Sequence, residues 1–197
     1  MLTANQKKIL RFLSSSTRDY SINEISKICK ITPNGTYKIL KKMEENNIVI
    51  PHKIANIKSY KLNFDDEKTQ KIVELSLIPE NIHKKINARR EDFNPLSKET
   101  LACIIFGSYI DPKNKPNDLD VLFILEKKKY NKYKDLLNKI RETTPITIHD
   151  VVQTMEDFEK NITIQDKIVK KTLFDGIVLW GFESISEAIK NVNRRQN

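Results

Sequence analysis

Cysteine is scarce: only Cys29 and Cys103 occur in 197 residues. They stand far apart in apolar settings. A disulfide-stapled scaffold is therefore not expected, and both are read as reduced, buried thiols. Histidine is as sparse, with His52, His83 and His149 scattered along the chain, so no zinc-site spacing exists. Long apolar runs are missing too. The longest, around residues 101–110, is too short to cross a bilayer. No basic-then-apolar leader opens the chain, which leads us to expect a cytoplasmic protein with no membrane partner. No internal repeat or low-complexity tract appears. Hydrophobic content of 39% suffices for packed cores, and a length of 197 residues suggests one or two domains.

Charge is plentiful but uneven. Residues 1–64 carry 12 Lys+Arg and 4 Asp+Glu, a balance of +8. The whole chain carries +9, so residues 65–197 contribute only +1. The first third therefore points to a polyanionic partner.

That basic stretch reads as three helices and a hairpin. Thr3 with Gln6, and Ser21 with Glu24, have capping-box spacing. Ile9, Leu10 and Leu13 form one helix face, and Ile22, Ile25, Ile28 and Cys29 another. Thr32 suits an N-cap and Pro33 the first position of a third helix, which runs to about Asn47. Its inner stripe is predicted as Tyr37, Leu40 and Met43, with Asn34, Thr36, Lys38, Lys41 and Lys42 elsewhere on its surface. Short strands follow near residues 48–52 and 59–62, with Lys53 and Lys58 flanking the turn. Residues 65–99 read as a helical linker, started by Asp65, Asp66 and Glu67 and interrupted by Pro79.

The second half is organised around Phe106-Gly107-Ser108 and, nine residues later, Asp118-Leu119-Asp120-Val121. Apolar runs flank both, so the pattern is strand, tight turn, loop, strand. Side chains two apart on a strand share a face. Asp118 and Asp120 are thus expected side by side, with Leu119 and Val121 directed into a core. Two carboxylates so close repel each other, and a divalent metal such as magnesium relieves this by using both as ligands. Gly107 allows close backbone approach to a phosphate, and Ser108 offers an N–H and a hydroxyl.

Beyond this motif, a helix is expected from Tyr130 to Glu142, with Tyr133, Leu136, Leu137 and Ile140 at helical spacing. Residues 146–152 alternate as a strand, placing Ile146, Ile148 and Asp150 on one face. A helix over residues 164–174 stopped by Gly176, a strand over 177–180, a turn at Gly181, and a last helix capped by Ser184 and Glu187 complete the chain. Trp180, the only tryptophan, is expected to close the core.

Two resemblances follow. Residues 3–63 resemble a winged helix-turn-helix domain, with Asn47 in place of the usual glycine after the third helix. This implies double-stranded DNA as a partner. Lys38, Lys41 and Lys42 would contact phosphates, Asn34 and Thr36 would read base edges, and Lys53 and Lys58 would touch backbone or minor groove. Dimerisation over two half-sites is compatible with this, though no sequence feature demands it. Residues 100 to about 182 resemble the DNA polymerase beta-like nucleotidyltransferase superfamily, through Phe106, Gly107, Ser108, Asp118, Leu119, Asp120 and Val121. The chain departs from many members after Gly-Ser, where Pro112, Pro116 and Asp111 replace small and basic residues.

The expected fold class is mixed α+β: a winged helix-turn-helix over residues 1–64, a helical linker over 65–99, and a nucleotidyltransferase-fold domain over 100–197, with a mixed sheet and flanking helices. The resemblance implies an NTP substrate along Gly107 and Ser108, and two magnesium ions during catalysis. Asp118, Asp120 and Asp150 would be catalytic and metal-binding carboxylates. Asp150 is assigned as the third because it is the only acid on its strand. Two functions stay open: transfer of a nucleoside monophosphate to an acceptor, including a protein or a toxin partner, or a DNA-binding regulator whose second domain senses nucleotide or is inactive.

Overall fold

The computed structural model describes residues 1–54, 57–114 and 116–195. The tip of the expected hairpin at 55 and 56 and Lys115 of the loop after Gly-Ser lie outside the described residues. The chain begins with α1 (Ala4–Ser14), β1 (Tyr20–Ser21), α2 (Ile22–Cys29), α3 (Pro33–Glu45), β2 (Val49–Ile54) and β3 (Ile57–Leu62). Thr3 with Gln6 and Ser21 with Glu24 form complete capping boxes, and the Thr32 side chain accepts from the Gly35 N–H. Asn47 adopts the left-handed backbone expected of it, with φ 58°. The three strands form an antiparallel sheet in the order β1-β3-β2. At two residues, β1 is too short to leave a period in the sequence; it pairs Tyr20 with Tyr60 and Ser21 with Ser59.

Next come α4 (Glu67–Leu77), α5 (Lys84–Phe93), a 3-10 turn at Asn94–Lys98, β4 (Ala102–Phe106), a 3-10 turn at Gly107–Ile110, β5 (Asp118–Ile124) and α6 (Tyr130–Thr143). The chain ends with β6 (Thr147–Gln153), α7 (Met155–Thr163), α8 (Lys167–Asp175), β7 (Ile177–Trp180) and α9 (Phe182–Arg194). The second sheet has the order β6-β5-β4-β7. β5 and β6 are parallel, joined across α6, and the other pairs are antiparallel. The architecture is therefore mixed α+β.

Period-two burial gives this sheet two apolar faces. Cys103, Ile105, Leu119, Val121 and Phe123 pack against α5, α6 and the 3-10 turn that follows α5. Ala102, Ile104, Leu122 and Ile124 face α7, α8 and α9. That second core continues without a break into Ile9, Leu10, Phe12, Ile25 and Leu40 of the N-terminal helices. Within the stretch expected as a linker, α4 packs against both α1 and α9. Arg11 donates to the carbonyls of Leu173 (3.0 Å) and Gly176. Burial lowers the pKa of its guanidinium to about 10, opposed by Asp175. Among the described residues, no helix is long and apolar enough to cross a membrane.

Two elements differ from expectation. The single helix expected over 164–174 is a separate α8 capped by Asp166, preceded by α7. Gln165, with φ 60°, breaks the chain between them. The capping box that opens α7 pairs Thr154 with Asp157, a shorter acid than the Glu or Gln usually sought there. The last helix begins at Phe182, ahead of the expected Ser184 cap. Gly181, at φ 86°, makes that turn with its Cα against Leu101 and Ala102, where a Cβ would overlap backbone.

Both cysteines are buried and free. Desolvation pushes the Cys29 thiol up to about 11 and Cys103 well above its ordinary value. Both thiols are thereby held in their unreactive protonated form. We expect a chromogenic disulfide reagent to leave both thiols unmodified in the native protein and to modify both after unfolding in guanidinium. Rapid modification of the native protein would contradict this burial.

Candidate active site and the basic N-terminal helix

The site begins where β4 ends. The antiparallel register pairs Phe106 with Asp120, so the Gly107 turn lies beside the first residues of β5. Gly107 has φ 78°, and a Cβ there would overlap Asp120 Oδ2. No other residue type gives the turn both that backbone and that proximity. Ser108 is exposed in the following 3-10 turn. It spans only Gly107–Ile110, ahead of Pro112. Tyr109 is buried beneath it, and Lys85 of α5 ties down the loop, donating to the carbonyls of Asp111 (2.5 Å) and Asn114 (3.2 Å). A connector lysine thus shapes the loop beside the site, a role its sequence position did not indicate. Arg89, on the same helix, pairs with Asp92 at 3.0 Å.

Asp118 and Asp120 project from one face of β5, while Leu119 and Val121 are fully buried on the other, as expected. The parallel register pairs Asp118 with Thr147 and Asp120 with His149. Paired residues share a face, so His149 joins the two aspartates. Its Nδ1 lies 3.8 Å from Asp118 Oδ2 and 3.7 Å from Asp120 Oδ1. One donor atom from each of the three lies within 4.8 Å of the others. Two carboxylates and a ring nitrogen, open to solvent on one side, fit a divalent cation, with positions left over for water and phosphate oxygens.

Asp150 is not brought to this cluster. It pairs with Val121 and faces the opposite side of the sheet, toward α6. There Tyr133 donates to its Oδ2 at 2.8 Å and Arg141 to its Oδ1 at 2.6 Å. Arg141 also donates to the Ile148 carbonyl at 3.1 Å. Burial, with Asp150 beside it, raises the Tyr133 phenol far above its ordinary pKa, so it stays a hydrogen-bond donor. The physical reason is the period of a strand. A side chain next to His149 must point away from the face His149 occupies.

In the N-terminal unit, α3 buries Thr36, Leu40 and Met43 rather than Tyr37, Leu40 and Met43. Thr36 is 0% exposed and Tyr37 45% exposed. The expected base reader Thr36 is thus inside, and Tyr37, taken as core, is outside. Asn34, Lys38, Lys41 and Lys42 are exposed on α3, and Lys53 is exposed on β2. Lys58 folds back onto α3. It pairs with Glu44 at 2.9 Å and lies 5.1 Å from the centre of the Tyr60 ring.

The site thus joins a mixed four-stranded sheet, a glycine turn and a pair of carboxylates on one strand. Residues 92–175 match the family described as Polymerase beta, Nucleotidyltransferase. Comparisons of the chain with curated proteins and with solved structures gave no match.

Replacing Gly107 by alanine should strain the turn and displace the Asp120 carboxylate together. We expect at least about a tenfold loss of divalent-ion affinity and a modest fall in stability, about 1–2 kcal/mol. Calorimetric titration with a divalent ion and thermal melting would measure the two effects.

Proposed function

We propose that the chain is a divalent-metal-dependent nucleotidyltransferase whose N-terminal unit binds DNA. The observation that carries the enzymatic part is the Asp118–Asp120 pair, with Asp120 set directly against the Gly107 turn. The Gly107 and Ser108 N–H groups would receive the triphosphate of an NTP, while Asp118 and Asp120 hold the ion. A bound divalent ion supplies positive charge to the phosphates and acidifies the attacking hydroxyl. The acceptor oxygen bonds to the α-phosphorus, the bond from that phosphorus to the β-phosphate oxygen breaks, pyrophosphate leaves, and the hydroxyl proton passes to solvent. The acceptor class proposed is a hydroxyl-bearing protein or small molecule. Incubation with each α-labelled NTP and a divalent ion tests this. Label on an acceptor with release of pyrophosphate supports transfer.

The order of three helices followed by an antiparallel hairpin, together with the +8 charge of residues 1–64, supports a winged helix-turn-helix reading. In it Asn34, Lys38, Lys41 and Lys42 of α3 and Lys53 of the hairpin face DNA. Thr36 is buried, and Lys58 is engaged by Glu44. Lys38→Ala and Lys41→Ala are each expected to weaken binding to all duplexes alike and to flatten the dependence of log affinity on log salt by about 0.9 per lost phosphate contact. Fluorescence anisotropy at several salt concentrations reads both. An unchanged slope removes that lysine from the interface.

One observation favours a second reading, a nucleotide-sensing regulator. The core of the N-terminal helices is continuous with that of the nucleotidyltransferase sheet. A ligand that altered α8 or α9 would therefore act on packing shared with α1. Metal-dependent NTP binding that changes DNA affinity without turnover would support this version.

A further inference from the structure

We infer that His149 supplies the third protein ligand to the ion held by Asp118 and Asp120, through Nδ1, making an oxygen-oxygen-nitrogen site that takes first-row transition ions in preference to magnesium. The inference rests on the metal-site reading above and concerns which ions that site selects.

Three observations converge on it. First, the parallel register of β5 and β6 places His149 directly beside Asp120 and on its face. Second, the His149 ring nitrogen Nδ1 lies 3.7 and 3.8 Å from the two carboxylates. Donor atoms adjacent around one ion with bonds near 2.1 Å lie about 3 Å apart, and opposite ones about 4 Å. The observed spacings fall between these. The His149 side chain is 57% exposed, so it can turn to close the remaining gap. Third, the neighbouring carboxylate is committed elsewhere. Asp150 is bound by Tyr133 and Arg141 on the far side of the sheet, and exchanging its place with His149 would require β6 to slip by one residue.

The chemistry of the donor set gives the selectivity. Magnesium binds oxygen and keeps its waters. An imidazole nitrogen adds affinity for later first-row ions, in the order manganese, iron, cobalt, nickel. The Tyr133–Asp150–Arg141 network then acts as a positioning device, because fixing Asp150 on one face of β6 presents His149 on the other.

Manganese is the probe, because its unpaired electrons report nitrogen bound directly to it. The full-length protein is loaded with one equivalent of Mn2+ and studied by electron spin-echo envelope modulation. The same is done for His149→Ala and for the Asp118→Asn/Asp120→Asn double variant. We expect a 14N coupling in the wild-type protein and its loss in both variants. Titration calorimetry should show His149→Ala weakening Co2+ binding at least about tenfold while Mg2+ binding changes less than about threefold. Bound manganese that is lost in the aspartate variant but carries no 14N coupling would overturn this inference and leave the carboxylate site standing. A 14N coupling that survives the aspartate variant would belong to another histidine and would also overturn it. Failure of the wild-type protein to bind manganese at all would overturn the metal-site reading and this inference with it.

Discussion

Asp118→Asn and Asp120→Asn are each expected to lower nucleotidyl-transfer turnover by at least about a thousandfold, equivalent to about 4 kcal/mol of transition-state stabilisation. Their thermal melting should remain close to that of the parent protein. The two halves of this expectation have separate physical sources. Both carboxylates stand at the exposed end of β5, with the His149 ring nitrogen 3.7–3.8 Å away. Asparagine keeps the shape of each side chain, so neither the strand register nor the two cores is disturbed. What is lost is the charge that holds a cation against the phosphates. An amide oxygen carries only a partial charge and is a weaker ligand. The loss should therefore fall on kcat more than on KM. Single-turnover assays with labelled NTP, beside melting curves, measure both. Full turnover by either variant would remove that residue from the chemistry.

The largest expected effect on stability comes from Phe123→Ala. Phe123, near the C-terminal end of β5, is 0% exposed. Its ring meets Phe93 of α5 at 5.5 Å and Tyr133 of α6 at 5.2 Å, both edge-on, and lies 6.4 Å from Trp180. Truncation leaves a cavity between two helices and a sheet that cannot collapse without breaking strand pairing. We expect a loss of about 3–5 kcal/mol, a large share of the stability of a typical domain. Trp180 is the chain's only tryptophan, and its Nε1 donates to Thr100 Oγ1 at 3.1 Å, so it reports this core without any label. Urea unfolding followed by its fluorescence should show a lowered midpoint with an unchanged slope. A midpoint within experimental error of the wild type would mean that the core can repack around the missing ring.

The elements visible in the sequence were those with a local signature. Both N-terminal capping boxes, Pro33 after Thr32, the left-handed Asn47 and the pairing of Asp118 with Asp120 all depend on residues a few positions apart. The failures involve partners that sequence distance hides. Asp150 was assigned by its charge, but its face is decided by the register of β6 on β5. One clue was available: Ile148 shares the face of Asp150, and an apolar neighbour of that kind belongs with Leu119 and Val121 rather than with the aspartates. The same period puts His149 in the site. On α3, Thr36 and Tyr37 exchanged roles because a stripe through 36, 40 and 43 fits the helical period as well as one through 37, 40 and 43. Only the packing of α3 on α2 and β2 selects between them. No local pattern could have shown that α4 lies between α1 and α9.

The path of Arg11 gives the molecule a mechanical property. Its guanidinium leaves α1, crosses the boundary between the two sheets' surroundings and binds the carbonyls of Leu173 and Gly176, where α8 gives way to β7. Gln165 makes a second tie, accepting from Ser16 at 2.8 Å and donating to Thr17 at 3.2 Å. With a common oily interior between these two clasps, the halves cannot swing like beads on a string. A chain cut after Phe64 would yield two pieces, each exposing apolar surface along the former seam. Torque applied to the first helix would be delivered to β7, the edge strand of the second sheet, as through a crank.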